Sequence, residues 1–441
     1  MRSLSACLGF TLIVTVSFRV SEASPVTDNH GTLFYVFGSK GVSIIDPERK
    51  TILSKITEAD GICTKSNNRF SRDNCSFGGE ISVKDELIFF SDMSGNRVHV
   101  IDVQKQKVVE TISTGGYPYD LYYLPWLEEV WVHTWTNSTF DVINIAGNLE
   151  KTHKAIKAHV QPGWTHGFMY AYKQVNNGKV GYVTHMSDPG LHRLDLSTKT
   201  YKDFVNVSNY GCTGTFNFAY SSVNEHGFFD CRGTNSILEL DVSTDQIVRK
   251  WNFTGVPYAS PDGRSIVTLY KSVNVSINVL LASKVYVLAI TGNSAPTLKS
   301  TMDIPGGVSE LVFDPANSMV SYISLIYSDK IAVLDLKLLK VTYITGVGGV
   351  FSRPGMHAIS RPLIIADSWI VTPATASSSV AIINAATQEL HGMVSGVPGG
   401  RGLVAVQLKA LSPPASVAGY RYLSQEMLAF ILPSALYVMV G

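Results

Sequence analysis

One short pattern recurs eight times along this chain and constrains its fold more than any other feature. The copies alternate Val, Ile and Leu with other residues, and all but one end on Asp or Asn: Val42–Asp46, Val98–Asp102, Phe140–Asn144, Leu191–Asp195, Ile237–Asp241, Val285–Ala289, Ile331–Asp335 and Val380–Asn384. Their last residues lie 42 to 56 residues apart, a period typical of one four-stranded antiparallel sheet per repeat. The repeat predicts an all-β fold, a single β-propeller of eight blades, or of seven if the degenerate copy ending at Ala289 does not count.

The residues around each copy indicate how the strands are joined. A polar turn and a second strand follow, and the terminal Asp or Asn suits that turn because its side chain can accept a hydrogen bond from the backbone two residues on. Gly-Pro bends such as Gly116–Pro118 and Gly255–Pro257 precede other strands. Because proline has no amide hydrogen, we expect these prolines in connections rather than in strands.

The two ends of the repeat region complement each other. The strand Leu403–Val406 is the last of the series, whereas Leu33–Phe37 and Val42–Asp46 have no inner strand before them. Pairing of these ends would close the ring and hide its sheet edges. We therefore expect a propeller over residues 32–408, closed by pairing of its N- and C-terminal strands.

The first 23 residues have the features of an export signal. Arg2 precedes an apolar stretch from Ala6 to Phe18, and Ser21 and Ala23 form a small-x-small cleavage site before Ser24. The apolar stretch is short for a membrane span. The sequence predicts cleavage between Ala23 and Ser24 and a secreted, extracellular protein.

Cysteine usage agrees with export. Cys7 leaves with the signal, and the even set Cys63, Cys75, Cys212 and Cys231 remains. Four cysteines allow three pairings, and proximity favours Cys63 with Cys75 and Cys212 with Cys231 without proving it. A metal site is the competing use of these residues, but the chain has no Cys-x-x-Cys pair.

Five Asn-x-Ser/Thr triplets can accept N-linked glycans in an exported chain, and they begin at Asn74, Asn137, Asn206, Asn252 and Asn274. The C-terminus indicates a second modification. In the linker 409–426, Ser416 and two further small residues precede the polar spacer 419–426, and an apolar tail, 427–441, follows. This is the order of a glycosylphosphatidylinositol attachment signal, with Ser416 as the attachment site. A plain apolar C-terminus packed on the domain is the alternative that the sequence leaves open.

Charge and composition restrict the class of partner. The net charge is +1, with 36 Lys and Arg residues against 35 Asp and Glu, so nothing favours a nucleic acid. We expect a monomer that contacts extracellular protein or matrix components, with no cofactor. Membrane attachment would come only through the lipid anchor.

Several stretches resemble known propellers. Asn96–Asp102, Thr111–Pro118 and Val130–Val132 resemble surface-layer (YVTN-type) propeller repeats. Leu33–Asp46, Gly163–Phe168, Gly181–His185 and His192–Asp195 resemble the C-terminal propeller of the larger follistatin-like proteins. The follistatin, EF-hand and immunoglobulin modules of that family are missing here. The resemblance implies an extracellular matrix or cell-surface protein, and the family offers no catalytic residues to carry over.

Two sets of residues are candidates for chemistry or binding. His153, His159, His166, His185 and His192 could converge on the central opening and hold a metal, but they lack ligand spacing, and ordinary hydrogen-bonded histidines would look the same. Among the aromatic residues, Tyr117, Tyr119 and Trp164 are predicted to lie in loops and form an exposed binding rim.

The sequence thus favours a non-catalytic interaction module at the cell surface or in the extracellular matrix, including the organic matrix of mineralised tissue. The alternative is a secreted propeller hydrolase or oxidoreductase with its site in the central channel. Inward-facing carboxylates or histidines with room for a metal would favour that alternative.

Overall fold

The computed structural model describes residues 31–63, 75–135, 139–146, 153–157, 167–274, 279–292, 294–350 and 360–408. Residues 31–408 form one compact unit. The export signal, the linker with Ser416 and the apolar tail lie outside the described residues. Within the described ranges, no helix is both long enough and apolar enough to cross a membrane.

Thirty-two strands form eight four-stranded antiparallel sheets, the blades. Those of the first half are β1 Thr32–Gly38, β2 Gly41–Asp46, β3 Thr51–Ile56, β4 Phe77–Val83, β5 Leu87–Asp92, β6 Arg97–Asp102, β7 Lys107–Ser113, β8 Pro118–Leu124, β9 Glu129–Thr134, β10 Thr139–Asn144, β11 His153–Lys157, β12 Gly167–Ala171, β13 Val180–His185, β14 Gly190–Asp195, β15 Thr200–Asn206 and β16 Gly214–Ser221.

Those of the second half are β17 His226–Arg232, β18 Ser236–Asp241, β19 Gln246–Trp251, β20 Val256–Ala259, β21 Ser265–Asn274, β22 Val279–Ala289, β23 Thr297–Asp303, β24 Val308–Asp314, β25 Asn317–Leu325, β26 Lys330–Asp335, β27 Lys340–Thr345, β28 Ile364–Ala366, β29 Trp369–Ala374, β30 Ser379–Asn384, β31 Glu389–Ser395 and β32 Gly402–Gln407. Short 3-10 helices lie at Glu58–Asp60, Val175–Gly178, Ser208–Tyr210 and Thr375–Ser377.

The eight-blade prediction is confirmed. Blade 1 has the order β32-β1-β2-β3, blade 2 is β4 to β7, and each later blade takes the next four strands, ending with β28 to β31 as blade 8. Every copy of the sequence pattern lies in the third strand of its blade, including the degenerate copy in β22.

The predicted ring closure is also confirmed. β32 supplies the first strand of blade 1 and pairs antiparallel with β1, from Thr32 opposite Gln407 to Phe37 opposite Gly402. Just outside this pair, the Leu408 amide donates to the Gly31 carbonyl at 3.1 Å. The two ends of the propeller therefore meet within one sheet.

The hydrophobic core lies between the blades rather than at the centre of the ring. Eight apolar clusters fill the eight interfaces between neighbouring blades. Adjacent residues of a third strand serve different interfaces: Ile44 packs toward blade 2 and Ile45 toward blade 8. This follows from the alternation of side chains along a strand that is covered on both faces.

The predicted turn chemistry holds at seven of the eight copies. The terminal Asp or Asn accepts a hydrogen bond from a backbone amide two or three residues on, as Asp195 does from Ser197 and Thr198 at 3.0 and 2.9 Å; the other six are Asp46, Asp102, Asn144, Asp241, Asp335 and Asn384. Ala289 has no such side chain.

The two ends of the ring differ. We call the end that carries the second-to-third and blade-to-blade connections the loop face, and the end that carries the first-to-second and third-to-fourth connections the turn face. Turn-face connections include two-residue turns at 315–316 and 367–368, whereas blade-to-blade connections reach twenty residues at 57–76. The chain therefore places its longest loops on one face.

The disulfide bonds are Cys63–Cys75 and Cys212–Cys231, the pairing that proximity favoured. Both lie at the loop face, where each crosslinks a blade-to-blade connection. The expectation for the prolines was wrong at two positions: Pro118 begins β8, and Pro257 lies within β20. Both are in first strands, which are edge strands of their sheets, so a residue without an amide hydrogen costs no ladder hydrogen bond there.

Candidate functional site

The first strands of the blades surround the central channel, and several of them are bulged. Register shifts lie between Phe77 and Glu80 in β4, between Pro118 and Asp120 in β8, and between Val308 and Leu311 in β24. A bulge redirects the side chains next to it. Each of these bulges contains or adjoins an acidic residue: Glu80, Asp120 or Glu310.

These three carboxyls, which we call the channel carboxyls, belong to blades 2, 3 and 7. Blades 1 and 8 separate blades 2 and 7 around the ring, yet both Asp120 and Glu310 act electrostatically on Glu80. Such an effect places Glu80 within electrostatic range of each of the other two acids. The ring therefore brings together acids that are 40 to 230 residues apart in sequence.

The Glu80 side chain contacts β32, the strand that closes the ring. Its Oε1 accepts a hydrogen bond from the Leu403 amide at 3.0 Å, and its Oε2 is buried without a hydrogen-bond partner among the described residues. A Cβ on Gly402 would lie 2.4 Å from the Glu80 carboxyl oxygens. Glycine at 402 is therefore what allows Glu80 this position.

Burial shifts the acid–base behaviour of this group. It raises the pKa of Glu80 to about 8, with a smaller contribution from the neighbouring acids, and the pKa of Asp120 to about 6, against the hydrogen bond that Tyr122 donates to it at 3.2 Å. Burial also raises the pKa of Glu310, while Ser360, Lys271 and the Leu363 amide oppose the rise. Acids with pKa values shifted toward neutrality are typical of functional sites, although structural clusters show the same shifts.

A base and several phenols complete the surroundings of the acids. Burial lowers the pKa of Lys271 to about 8, and Glu310 acts in the opposite direction. Asp120 contributes to the raised pKa of Tyr170, and Glu310 to that of Tyr258, with burial as the larger cause in both cases. Near neutral pH the site thus holds groups that can gain or lose a proton.

A metal centre is not formed in the part of the chain that the structure describes, because no three His, Cys, Asp or Glu side chains there are arranged to hold one ion. His185 and His192 lie on β13 and β14, away from the channel, and their rings approach the Asp188 carboxylate at 3.6 and 3.1 Å. His153 lies on the outer strand β11. His159 and His166 are outside the described residues.

A second feature lies at the loop-face end of the channel. Five partly exposed aromatic side chains from blades 3, 4 and 5 contact one another in sequence, and we call them the aromatic rim: Tyr117, Trp135, Tyr119, Phe168 and Phe216. Their ring centroids are 4.9 to 6.4 Å apart. The rim is continuous across three blades.

The predicted binding residues are partly in this rim. Tyr117 lies in a loop, as expected, with a left-handed φ of 57°. Tyr119 lies within β8, so its assignment to a loop was wrong, because the strand begins already at Pro118. Trp164 lies outside the described residues. Phe168 and Phe216 were missed because the sequence does not show that these positions of β12 and β16 come to lie next to each other and to Tyr119.

The glycosylation triplets share a face where they are described. Asn206 ends β15, Asn252 follows β19, and Asn274 ends β21, which are all loop-face positions. Asn206 and Asn252 are exposed, and Asn274 is partly buried. Asn74 and Asn137 lie outside the described residues, as do Ala23 and Ser24. Glycan occupancy of these sites remains a prediction.

Comparison with known proteins identifies the architecture alone. No protein-family model matches the chain. Among solved structures, the dihydro-heme d1 dehydrogenase NirN is similar with a TM-score of 0.60 and 15% identity over 88% of this chain and 78% of NirN. Apo AztD from Citrobacter koseri gives 0.58 and 13% over 86% and 98%, and Kuenenia stuttgartiensis hydrazine synthase gives 0.51 and 15% over 72% and 98%. At such identities the similarity shows a shared propeller fold and carries no activity across.

Proposed function

We propose that this chain is a non-catalytic extracellular β-propeller that acts as a protein or matrix interaction module, with the aromatic rim as its docking surface. Its setting would be the cell surface or the extracellular matrix, as the export signal and the resemblance to follistatin-like propellers imply. The two disulfides support this setting, because disulfides persist in oxidising compartments.

The observation that carries the proposal is the continuity of the aromatic rim. Outside the rim, Trp131 and Phe90 are fully buried between blades, whereas Phe204 and Tyr343 are exposed. In the rim, five aromatic side chains keep part of their surface exposed on one face. Tyr and Trp are enriched among the residues that dominate binding energy at protein interfaces, because they combine a large apolar area with a polar group.

The test is retention of the purified, secreted chain on decellularised fibroblast matrix. Replacing Tyr117 and Tyr119 by Ser should weaken retention by about thirtyfold, as expected when central aromatic contacts of an interface are removed. The control is Leu338→Ser, which removes an exposed apolar side chain (68% exposed) from the turn face. Equal retention of all three proteins, with unchanged melting temperatures, would contradict the proposal.

The channel carboxyls favour a second candidate, a secreted hydrolase with its site in the channel. Glu80 is largely protonated at neutral pH and could donate a proton to a leaving group, while Asp120, with the lower pKa, could accept one from water. A panel of ester, lactone and glycoside substrates tests this candidate. If the chain turns over one of these substrates, and Glu80→Gln and Asp120→Asn each abolish that turnover, the result favours an enzyme over an interaction module.

A further inference from the structure

We infer that a cavity between blades 5 and 6, on the turn face, binds a neutral, hydroxyl-rich ligand such as a monosaccharide or the end of a glycan chain. The cavity has a volume of about 350 Å³. Its lining includes Asn224, His226, Glu239, Val248, Arg249 and Pro296. It is separate from the aromatic rim and the channel carboxyls, so the inference does not depend on the proposed function.

The cavity exists because blade 6 departs from the repeat. Six other blades join their third and fourth strands by four residues, whereas blade 6 uses the seven residues 290–296 after the degenerate copy that ends at Ala289. This longer connection reaches the neighbouring blade, where Arg249 Nη1 donates to the Pro296 carbonyl at 3.2 Å. Pro296 thereby forms a wall opposite the outer strands of blade 5.

A buried carboxylate is held in place at the cavity. The Glu239 side chain is only 1% exposed, and it accepts hydrogen bonds from His226 Nδ1 at 2.6 Å and from Trp251 Nε1 at 3.2 Å. Arg249 Nε lies 3.9 Å from the same carboxylate. Each Glu239 carboxylate oxygen has a second lone pair that can accept a hydrogen bond, and His226 Nε2 can also bond a ligand. Because the hydrogen bonds within the protein already hold these groups in place, ligand binding would cost little side-chain entropy.

Asn224 supplies groups that remain to be paired. Its amide oxygen and nitrogen are both buried, and neither has a hydrogen-bond partner among the described residues. Leaving a buried polar group unpaired costs about 1–3 kcal/mol. Rotation of the Asn224 side chain toward the cavity would let one ligand hydroxyl donate to the amide oxygen and another accept from the amide nitrogen, so two hydroxyls would satisfy both atoms.

The charges at the cavity favour a neutral ligand. An anion would be repelled by Glu239, and a cation by Arg249. The apolar surfaces of Val248, which is 49% exposed, and of Pro296 suit the C–H face of a sugar ring. The described glycosylation positions Asn206, Asn252 and Asn274 lie on the opposite face, so glycans of the protein itself would leave the cavity accessible.

The test uses the intact secreted chain after enzymatic removal of its N-glycans. Glucose, galactose, mannose and N-acetylglucosamine, each alone and as β-linked dimers, are titrated by saturation-transfer NMR and calorimetry. At least one should bind, and Asn224→Ala should weaken that binding about tenfold through loss of its hydrogen bonds. Val248→Trp should abolish it by filling the cavity without removing a hydrogen bond.

Thr387→Ala, an exposed turn-face change in blade 8, is the matched control and should leave binding unchanged. Melting temperatures identify any variant that has lost its fold. If Asn224→Ala unfolds the protein, Val248→Trp still tests the inference. The inference is overturned if no neutral saccharide binds, if Val248→Trp binds as well as the parent chain, or if acetate or phosphate occupies the cavity in preference to every saccharide.

Discussion

Glu80 is mainly neutral at neutral pH because it is buried and has two other acids near it. Its pKa of about 8 lies above the usual 4.5, so the folded protein holds a proton that the unfolded chain releases. The contribution of Glu80 to stability is therefore greatest below about pH 4.5, falls as the pH rises through this window, and stays low above about pH 8.

Replacing Glu80 by Gln should remove this pH dependence. The Gln carbonyl can still accept the hydrogen bond from the Leu403 amide, and the side chain carries no charge to bury. We expect the variant to gain about 2 kcal/mol near pH 8 and almost nothing near pH 4.5. Thermal unfolding of both proteins across this range measures the difference, and a gain that is the same at every pH would contradict the assignment.

Arg361 is the clearest single residue that joins two blades. It is fully buried, and its guanidinium donates to the carbonyls of Leu325, Ser328 and Val347 and to the hydroxyl of Thr372 at 3.0 to 3.3 Å. Burial lowers its pKa to about 10, so the charge remains at neutral pH. Blades 7 and 8 are thus linked by one cation and neutral acceptors.

Arg361→Met should destabilise the protein by about 3 kcal/mol, because it keeps the apolar stem but leaves buried carbonyl groups without a donor. Urea unfolding is the measurement. Lys337→Met removes an exposed cation from a turn in blade 7 and should change stability by less than about 0.5 kcal/mol. Equal stabilities of the two variants would show that the hydrogen bonds of Arg361 contribute little.

At the scale of elements, the third strand and the turn after it form the best-defined unit of the chain. The strand is buried on both faces, and its terminal Asp or Asn fixes the turn. At Asp195 the amide of Thr198 and the hydroxyl of Ser197 are the main causes that lower the pKa to about 2. The carboxylate form is thus the one that holds the turn.

Asp195→Ala should lower the stability of the protein by about 1 kcal/mol at neutral pH, through loss of the turn hydrogen bonds. The difference from the parent chain should shrink as the pH falls from about 4 toward about 2, because the parent carboxylate is then protonated. Asp195→Asn keeps the acceptor and is the control, measured after enzymatic removal of N-glycans because it creates the triplet Asn-Leu-Ser. A full loss of stability in Asp195→Asn would assign the effect to charge rather than to the hydrogen bonds.

The positions of the functional side chains in the first strands were harder to predict from the sequence than the third strands. Third strands were predictable because their alternation and terminal Asp or Asn repeat in nearly every blade. The first strands that carry the channel carboxyls are bulged. The acids therefore fall at different offsets after a Gly-Gly pair: Glu80 directly after Gly79, Asp120 four residues after Gly116, and Glu310 three after Gly307. The recurrence of an acid shortly after Gly-Gly was the available signal, but only ring closure brings the three acids together.

At the scale of the whole molecule, ring closure determines both the fold and the sites. β1 and β32 come from the two ends of the repeat region and pair with each other. Their pairing was predictable because the N-terminal strands lacked a first strand and the C-terminal strand lacked the other three strands of a blade. The aromatic rim was only partly predictable, since Tyr117, Tyr119, Phe168 and Phe216 become neighbours through the contact of successive blades. The 350 Å³ cavity was not predictable, because it depends on how far residues 290–296 reach across a blade interface.

A glycan placed on one face or the other of the propeller distinguishes docking through the loop face from docking through the turn face. Thr213→Asn creates the triplet Asn-Gly-Thr beside Phe216 on the loop face, and Asp241→Asn creates Asn-Val-Ser on the turn face of the same blade while keeping the turn acceptor. Gel mobility confirms occupancy of each new site, and retention on decellularised fibroblast matrix is the measurement. We predict that the Thr213→Asn protein loses retention while Asp241→Asn keeps it. Loss in Asp241→Asn with retention in Thr213→Asn would contradict docking through the loop face.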